Sequence, residues 1–522
     1  MTKPNIIMLV LDTMRAERMS VYGYQKETTP VLGEFAEDAT VFERAFAPAP
    51  WTVPSHASMF TGLYPTVHQT TQSYATLPDE IPTLAELLAQ NDYHTVGFCN
   101  NPLVSVLDNG LKRGFEKFYN YSGTFPDIPD IGDAEPIREA RREITQFLQK
   151  ISGPVERAVS DNPLVLKLAM MPWFVPIWTR LGRFKGDTKR SLQDIADYIR
   201  HYSTSGEERP FFMFINMMET HLPYYPPRSI SEKWVPYLRK DKEARDFLAK
   251  FNVESYRWVA PMIEPFSDKQ EKVLRDTYDA EIAYQDRQLR RLFRALKRIG
   301  QYDNTMIVVV ADHGESHGEH EFMGHAFVNY NEVAQVPMLV RHPESFPGGR
   351  RISQNVSARR VFHTMLHAAG IEHQAYGHTA GELSLHNVLN GHDDSPEDEV
   401  VLSEAFPVMN FVNVMEMNNP EAIEYFRVRK LRRTLVEGDH KLHMVGGQSD
   451  EFFDIKADPG ETNNLLDNPI GYENDIIRME QTLEEVAHRL ESQRDGILAG
   501  EQIDYSDNPE LLERLRGLGY IE

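Results

Sequence analysis

The 522-residue chain has a single cysteine, Cys99, so no disulfide can form within it and nothing signals an oxidising compartment. Closing an apolar run, Cys99 reads as a buried structural thiol. Positive charge is also in short supply. Asp and Glu number 78 against 55 Lys and Arg, a formal net charge of −23. That excludes a nucleic-acid backbone as the main partner, since such binders present a basic face. Lysine is the scarcer cation, with arginine outnumbering it about two to one. An acidic, lysine-poor surface fits a halophilic, high-salt cytoplasm and equally an ordinary acidic protein. No run of ~18 apolar residues occurs, so no membrane span is expected. The opening MTKPNIIMLVLDTMR lacks the long apolar core and small-residue cleavage site of a secretory signal and reads as a first buried strand. A cytoplasmic location is the expectation.

The length allows two or three domains, and 41% hydrophobic residues suit a soluble globular chain. Several short apolar runs end in residues capable of chemistry. Asn5–Leu11 ends at Asp12, and Thr95–Phe98 ends at Asn100 and Asn101. Phe211–Ile215 is followed by Asn216, Glu219 and His221. Met306–Val310 ends at Asp312 and His313, and Pro337–Val340 is a further run. Such runs fit strands buried on both faces, as in a parallel sheet. Helical patterns at Thr83–Gln90 and Asp276–Ile299 lie between them, so the fold class is α/β. In such sheets ligands gather at the carboxyl ends of the strands.

Residues 1–394 are expected to form this catalytic domain, with an insertion or cap at about 122–200. Its apolar stretch at 162–184, NPLVLKLAMMPWFVPIWTRLGRF, is either the insertion's own packing surface or a lip for a greasy substrate or a membrane. Lys167, Arg180 and Arg183 sit at its margins. Residues 395–522 read as a smaller α+β domain of short antiparallel strands, with a helix at roughly Asn474–Ser492.

Asp312 and His313 in VVVADHGESHGEH put a carboxylate and an imidazole side by side at a strand end, and both ligate borderline cations. In APAPWTVPSHASMFTG, Val53 precedes a proline and is pushed from helical geometry, Pro54 suits a first helical position, and Gly62 is a natural stop. Thr52 then lies just upstream of a helix N-terminus, where free N–H groups favour an anion. Its hydroxyl is either a cap or, beside a metal, a nucleophile.

Taken together, the chain resembles the sulfatase family of the alkaline phosphatase superfamily over nearly its whole length. The resemblance rests on LVLDTMRAERMSVYGYQKETTP, WTVPSHASMFTGLYP, ETHLPYYPP, DHGESHGEHEFMGH, YNEVAQVPMLVR and EFFDIKADPGETNNLL, in that order. It implies a mostly parallel sheet core flanked by helices, a small C-terminal domain with an antiparallel sheet, and one divalent metal at the sheet edge. Carried over, Asp12, Asp312 and His313 become metal ligands, and Thr52 becomes metal ligand and nucleophile. His221 and His325 contact the substrate's anionic group or leaving oxygen. His56 stands where typical sulfatases carry an arginine that orients the nucleophile. Asn101 follows a strand where family members place substrate contacts, and reads equally as a plain strand-end turn.

Three departures bear on activity. Thr52 replaces the Cys or Ser that sulfatases convert to formylglycine, and oxidising a secondary alcohol gives a ketone, so no formylglycine is expected. Thr13 replaces a second aspartate, and His313 a usual asparagine, which shifts the metal from Ca toward Mn or Zn. The expected function is metal-dependent hydrolysis of sulfuric or phosphoric esters of a small molecule, glycan or lipid. One alternative is transfer of a headgroup to a lipid or glycan hydroxyl; another is non-catalytic binding of an anionic glycan. His317 and His320 are candidates for a second metal or for outer positions. Glu219 reads as a base or, more simply, a cap.

Overall fold

The computed structural model describes residues 3–122, 126–129, 185–253, 265–375, 377–418 and 420–503. Eight strands form the central sheet: β1 (Asn5–Leu11), β2 (Thr40–Phe46), β3 (His94–Cys99), β4 (Lys117–Asn120), β5 (Phe211–Met217), β6 (Thr305–Val310), β7 (Gln335–Arg341) and β8 (Arg351–Ser357). Their spatial order is β8-β2-β7-β6-β1-β5-β3-β4. Pairing is parallel throughout except at β7, which runs antiparallel to both β2 and β6. Every residue of β1, β3, β5 and β6 is buried, as expected for strands covered on both faces. The five apolar runs read from the sequence all lie within strands. β2, β4 and β8 escaped that reading because they carry charged or half-exposed residues.

The helices that matter here are α1 (Thr52–Thr61), α2 (Leu84–Gln90), α3 (Thr188–Thr204), α4 (Asp268–Arg298), α5 (Arg360–Ala368) and α6 (Glu473–Arg494). α2 opens on a capping box in which Thr83 and Glu86 exchange side chain-to-backbone bonds. α4 starts at Asp268 rather than Asp276 because Ser267 and Gln270 form a second capping box. α3 packs along α4. The expected insertion at 122–200 falls mostly outside the described residues, as does the 162–184 stretch, and its last part is this helix.

The register expected for α1 is corrected. Thr52 is the first helical residue, Trp51 is the cap and Val53 is helical. The Ser55 N–H makes the first turn's bond to Trp51 O at 3.2 Å. Pro54 precedes it, where no N–H has an intrahelical acceptor, so the ring costs no bond.

Four strands, β9 (Val401–Ala405), β10 (Arg432–Glu437), β11 (His440–Val445) and β12 (Gln448–Asp454), form a C-terminal antiparallel sheet in sequential order, followed by α6. Among the described residues no helix is long and apolar enough to cross a membrane.

Candidate metal centre and active site

The neighbouring strands β6, β1, β5 and β3 deliver their carboxyl ends to one place. Asp12 follows β1, Asp312 and His313 follow β6, Asn101 follows β3, and Asn216 lies near the end of β5. All are fully buried. One ligand atom each from Asp12, Asp312 and His313 lies within 4.8 Å of the others. The Thr52 hydroxyl, at the first position of α1, stands 3.4 Å from His313 Nε2 and receives Asn101 Nδ2 at 3.3 Å.

Each side chain is fixed from behind. Asn101 and Asn216 donate their amides to Asp12 Oδ2 at 2.7 and 3.1 Å. Asp312 Oδ1 accepts the backbone N–H groups of His313 at 3.0 Å and Thr13 at 3.3 Å. His313 donates Nδ1–H to Gly314 O at 2.9 Å, which leaves Nε2 as the lone-pair nitrogen on the side of Thr52. Ser55 Oγ donates to Asp312 O at 2.6 Å and so ties α1 to the β6 loop.

Two carboxylate oxygens, Asp12 Oδ1 and Asp312 Oδ2, are buried without any hydrogen-bond partner. Burial, reinforced by the charge of Asp312, pushes Asp12 up to about 7. Burial pushes Asp312 up to about 7 as well. Burial and the nearby His325 lower His313 to about 4. A carboxylate pair stripped of water and lacking a countercharge is costly unless a cation joins it. With an imidazole and a hydroxyl, this is a mixed O/N set that suits a divalent metal.

His221 and His325 border the cluster. Their rings lie 5.0 Å apart, and that of His325 is 4.4 Å from that of His313. His221 donates Nδ1–H to Leu222 O at 2.8 Å. Burial lowers both histidines to about 3, so an arriving anion is what raises their hold on a proton. His56, one turn along α1 from Thr52, is edge-on to Phe60 and Phe214, with Nδ1 donating to Thr52 O at 2.9 Å and standing 3.4 Å from Asp312 Oδ2. It supports the backbone of Thr52 rather than facing its hydroxyl.

Other sequence candidates take outer positions. His317 bonds Tyr224 Oη at 2.8 Å, and His320 bonds Glu332 and Glu461 O, each at 3.1 Å. Neither joins a metal cluster among the described residues. Glu219 bonds Thr188 at the start of α3, which fits the capping reading. Cys99 is buried, and burial pushes its thiol far up. Asn216, read from the sequence as following an apolar run, is brought into the site by β5. One residue escaped the sequence reading. Glu315, the acid directly after D-H-G, is fully buried and bonds His325 Nδ1 at 2.8 Å; its place two residues past the metal-ligand pair was the available signal.

Comparison with known proteins fits this geometry. The family model described as Sulfatase matches residues 4–371. The arylsulfatase of Clostridium perfringens is 22% identical over 506 residues, covering 95% of this chain and 96% of that protein. The N-acetylglucosamine-6-O-sulfatase of Bacteroides thetaiotaomicron is 24% identical over 504 residues, covering 89% and 83%. Among solved structures, the phosphonate monoester hydrolase of Agrobacterium radiobacter superposes with a TM-score of 0.62 at 19% identity, covering 95% of this chain and 96% of that one.

Proposed function

The chain belongs to the sulfatase family of ester hydrolases, and on that premise we propose that it cleaves singly charged phosphorus or sulfur esters with Thr52 as nucleophile. The observation that carries this reading is the Thr52 hydroxyl set at the start of α1 between Asn101 Nδ2 and His313 Nε2, beside the Asp12, Asp312 and His313 cluster. Asp12, Thr52, Asp312 and His313 are the residues that would hold the metal. A divalent cation there supplies the positive charge that lowers the hydroxyl's pKa and offsets charge on the transferring group.

Thr52 Oγ1 gives up its proton to solvent and forms the new bond to phosphorus or sulfur as the bond to the leaving oxygen breaks. The hydroxyl sits at the helix N-terminus, where unpaired N–H groups favour the anion. His325 meets the non-bridging oxygens, and Asn101 holds the Thr52 oxygen in place through its amide. Nδ1 of His221 is committed to Leu222 O, so Nε2, protonated as the anion arrives, gives that proton to the leaving oxygen and takes one back from the attacking water. Water then attacks the same centre and the Thr52 oxygen leaves.

Charge balance supports a singly charged substrate. Among the described residues, none of Asp12, Thr52, Asp312, His313 or the Glu315 carboxylate bonds a Lys or Arg side chain. One divalent ion against three carboxylates leaves little attraction for a dianion. Phosphate diesters and phosphonate monoesters are favoured over sulfate esters. A threonyl ester lacks the second hydroxyl by which an aldehyde hydrate expels sulfate, whereas water attack on a phosphoryl group is routine with electrostatic help.

The test compares aryl sulfate, aryl phosphate, a phosphodiester and a phosphonate monoester on metal-analysed protein with Mn, Zn or Ca added back. Thr52→Ala is expected to lose ~10³-fold or more in kcat, as nucleophile deletions do, with Thr52→Ser largely active. A normal rate for Thr52→Ala ends the proposal, and Thr52-dependent turnover of sulfate alone reverses the preference for phosphorus.

A further inference from the structure

Glu315 is fully buried, and its main chain is held from both sides. Its N–H donates to Glu332 O at 3.0 Å, and Arg15 Nη1 donates to its carbonyl at 2.9 Å. With the backbone pinned, the carboxylate reaches across to His325 Nδ1 at 2.8 Å. It also lies close enough to His221 for its charge to act there. The second oxygen, Oε2, has no hydrogen-bond partner although it is buried. A buried carboxylate with one bond to an imidazole, one empty oxygen and only the nearby Leu222 N–H to assist it is a poor device for stability, because the desolvation it suffers exceeds what these contacts return. Such groups are explained by what they orient. Glu315 is also absent from the three-residue metal cluster.

From this geometry we infer that Glu315 is a positioning residue for the proposed reaction, and that it works through His325. By engaging Nδ1 it fixes the ring's rotation and turns Nε2, on the opposite side of the imidazole, toward the substrate, where an Nε2 proton donates to the anionic oxygens. The same arrangement, in which a carboxylate behind an imidazole sets which nitrogen does the work, orients metal-binding histidines. Here the oriented imidazole serves the anion instead. The MGHAF and ETHLP loops thus meet at one carboxylate, with His325 on the first and His221 on the second. This inference rests on the reading of the site given above.

The test is a double-mutant cycle on the metal-loaded full chain. Glu315→Met removes the acceptor at similar volume, Glu315→Gln retains an acceptor oxygen, and His325→Ala removes the group acted upon. Two quantities are measured for each variant: kcat/KM, and the affinity by calorimetry for methanesulfonate, a singly charged tetrahedral anion. Glu315→Met is expected to lose ~10- to 100-fold in both, as loss of an orienting partner typically does, and Glu315→Gln to recover most of it. In the His325→Ala background the same change is expected to cost nearly nothing, since two residues acting as one unit are not additive. Undiminished methanesulfonate affinity in folded Glu315→Met, or a full additional loss in the His325→Ala background, overturns the inference. If Glu315→Met does not fold, Glu315→Ala takes its place in the cycle. Should turnover prove independent of Thr52, the nucleophile reading fails, while the coupling in methanesulfonate binding still decides the role of Glu315.

Discussion

At the scale of single residues, the site concentrates features that folding alone would avoid. Thr13, directly after the first metal-side aspartate, is a β-branched residue at φ 58°. That region costs ~1–3 kcal/mol for a non-glycine residue. The conformation sends its N–H to Asp312 Oδ1, while its carbonyl accepts the Tyr278 hydroxyl at 2.6 Å. Thr13→Gly is expected to lower stability by no more than ~1 kcal/mol in urea unfolding despite emptying a buried position, because glycine relieves the strain. Asp12→Asn keeps the shape but removes one of two facing buried charges. Metal retained after gel filtration, read by elemental analysis, is expected to fall at least ~10-fold, while the chelator-treated protein melts several degrees higher than the parent treated alike. Asp12, Asp312 and His313 were legible in the sequence because each ends an apolar strand. Glu315 was not, since an acid in a loop rich in His and Glu has the same local signature whether solvated or buried. Only the pinning of its backbone by Arg15 and Glu332 from distant elements buries it.

Among elements, α1 decides the site because it carries the nucleophile candidate at its first position. Its end is set by Gly62 at φ 72°, where a Cβ would meet His363 Nε2 at 2.5 Å and Phe362 Cδ1 at 2.6 Å on α5. Gly62→Ala is expected to cost ~2–4 kcal/mol, combining an unfavourable backbone region with overpacking. It is also expected to lower kcat more than a stability loss alone explains, because α1 must tilt to relieve the contact; urea unfolding and steady-state kinetics on the folded fraction separate the two. The helix and its stop were readable in PSHASMFTG. The start was misplaced by the proline, because a missing N–H is harmless anywhere in the first turn and local sequence does not say which of those positions it takes. The central strands were readable from unbroken hydrophobicity. Edge strands such as β4 were not, since half-exposed residues carry no such run.

Across the whole molecule, the C-terminal sheet and the catalytic core meet around His320. Its Nδ1 bonds the Glu332 carboxylate and its Nε2 bonds Glu461 O. Both partners only accept, so both nitrogens must donate and the ring is an imidazolium. Although burial opposes it, the bond and charge of Glu332 raise His320 to about 9. A folded pKa above the unfolded value near 6.5 means that the stabilisation is complete below about pH 6.5 and is lost as pH rises through about 9. His320→Gln is expected to cost ~2–3 kcal/mol at pH 7 and far less at pH 9.5, measured by urea unfolding at both pH values. A lysine, a histidine and a backbone N–H also converge on the buried Glu461 carboxylate, at Lys441 (2.8 Å), His443 (3.3 Å) and Asn331 (2.5 Å). The position of β1 has a further consequence for how the chain comes into being. β1 lies between β5 and β6, its partners from about 200 and 300 residues later. A nascent chain that has already exposed Asp12 must wait for Asp312 and His313 to emerge before any of them has a neighbour. Contacts that distant in sequence make for slow folding. A cation held there would therefore be chosen late, by a site already shaped by the rest of the sheet, and not by whichever metal first meets the growing chain.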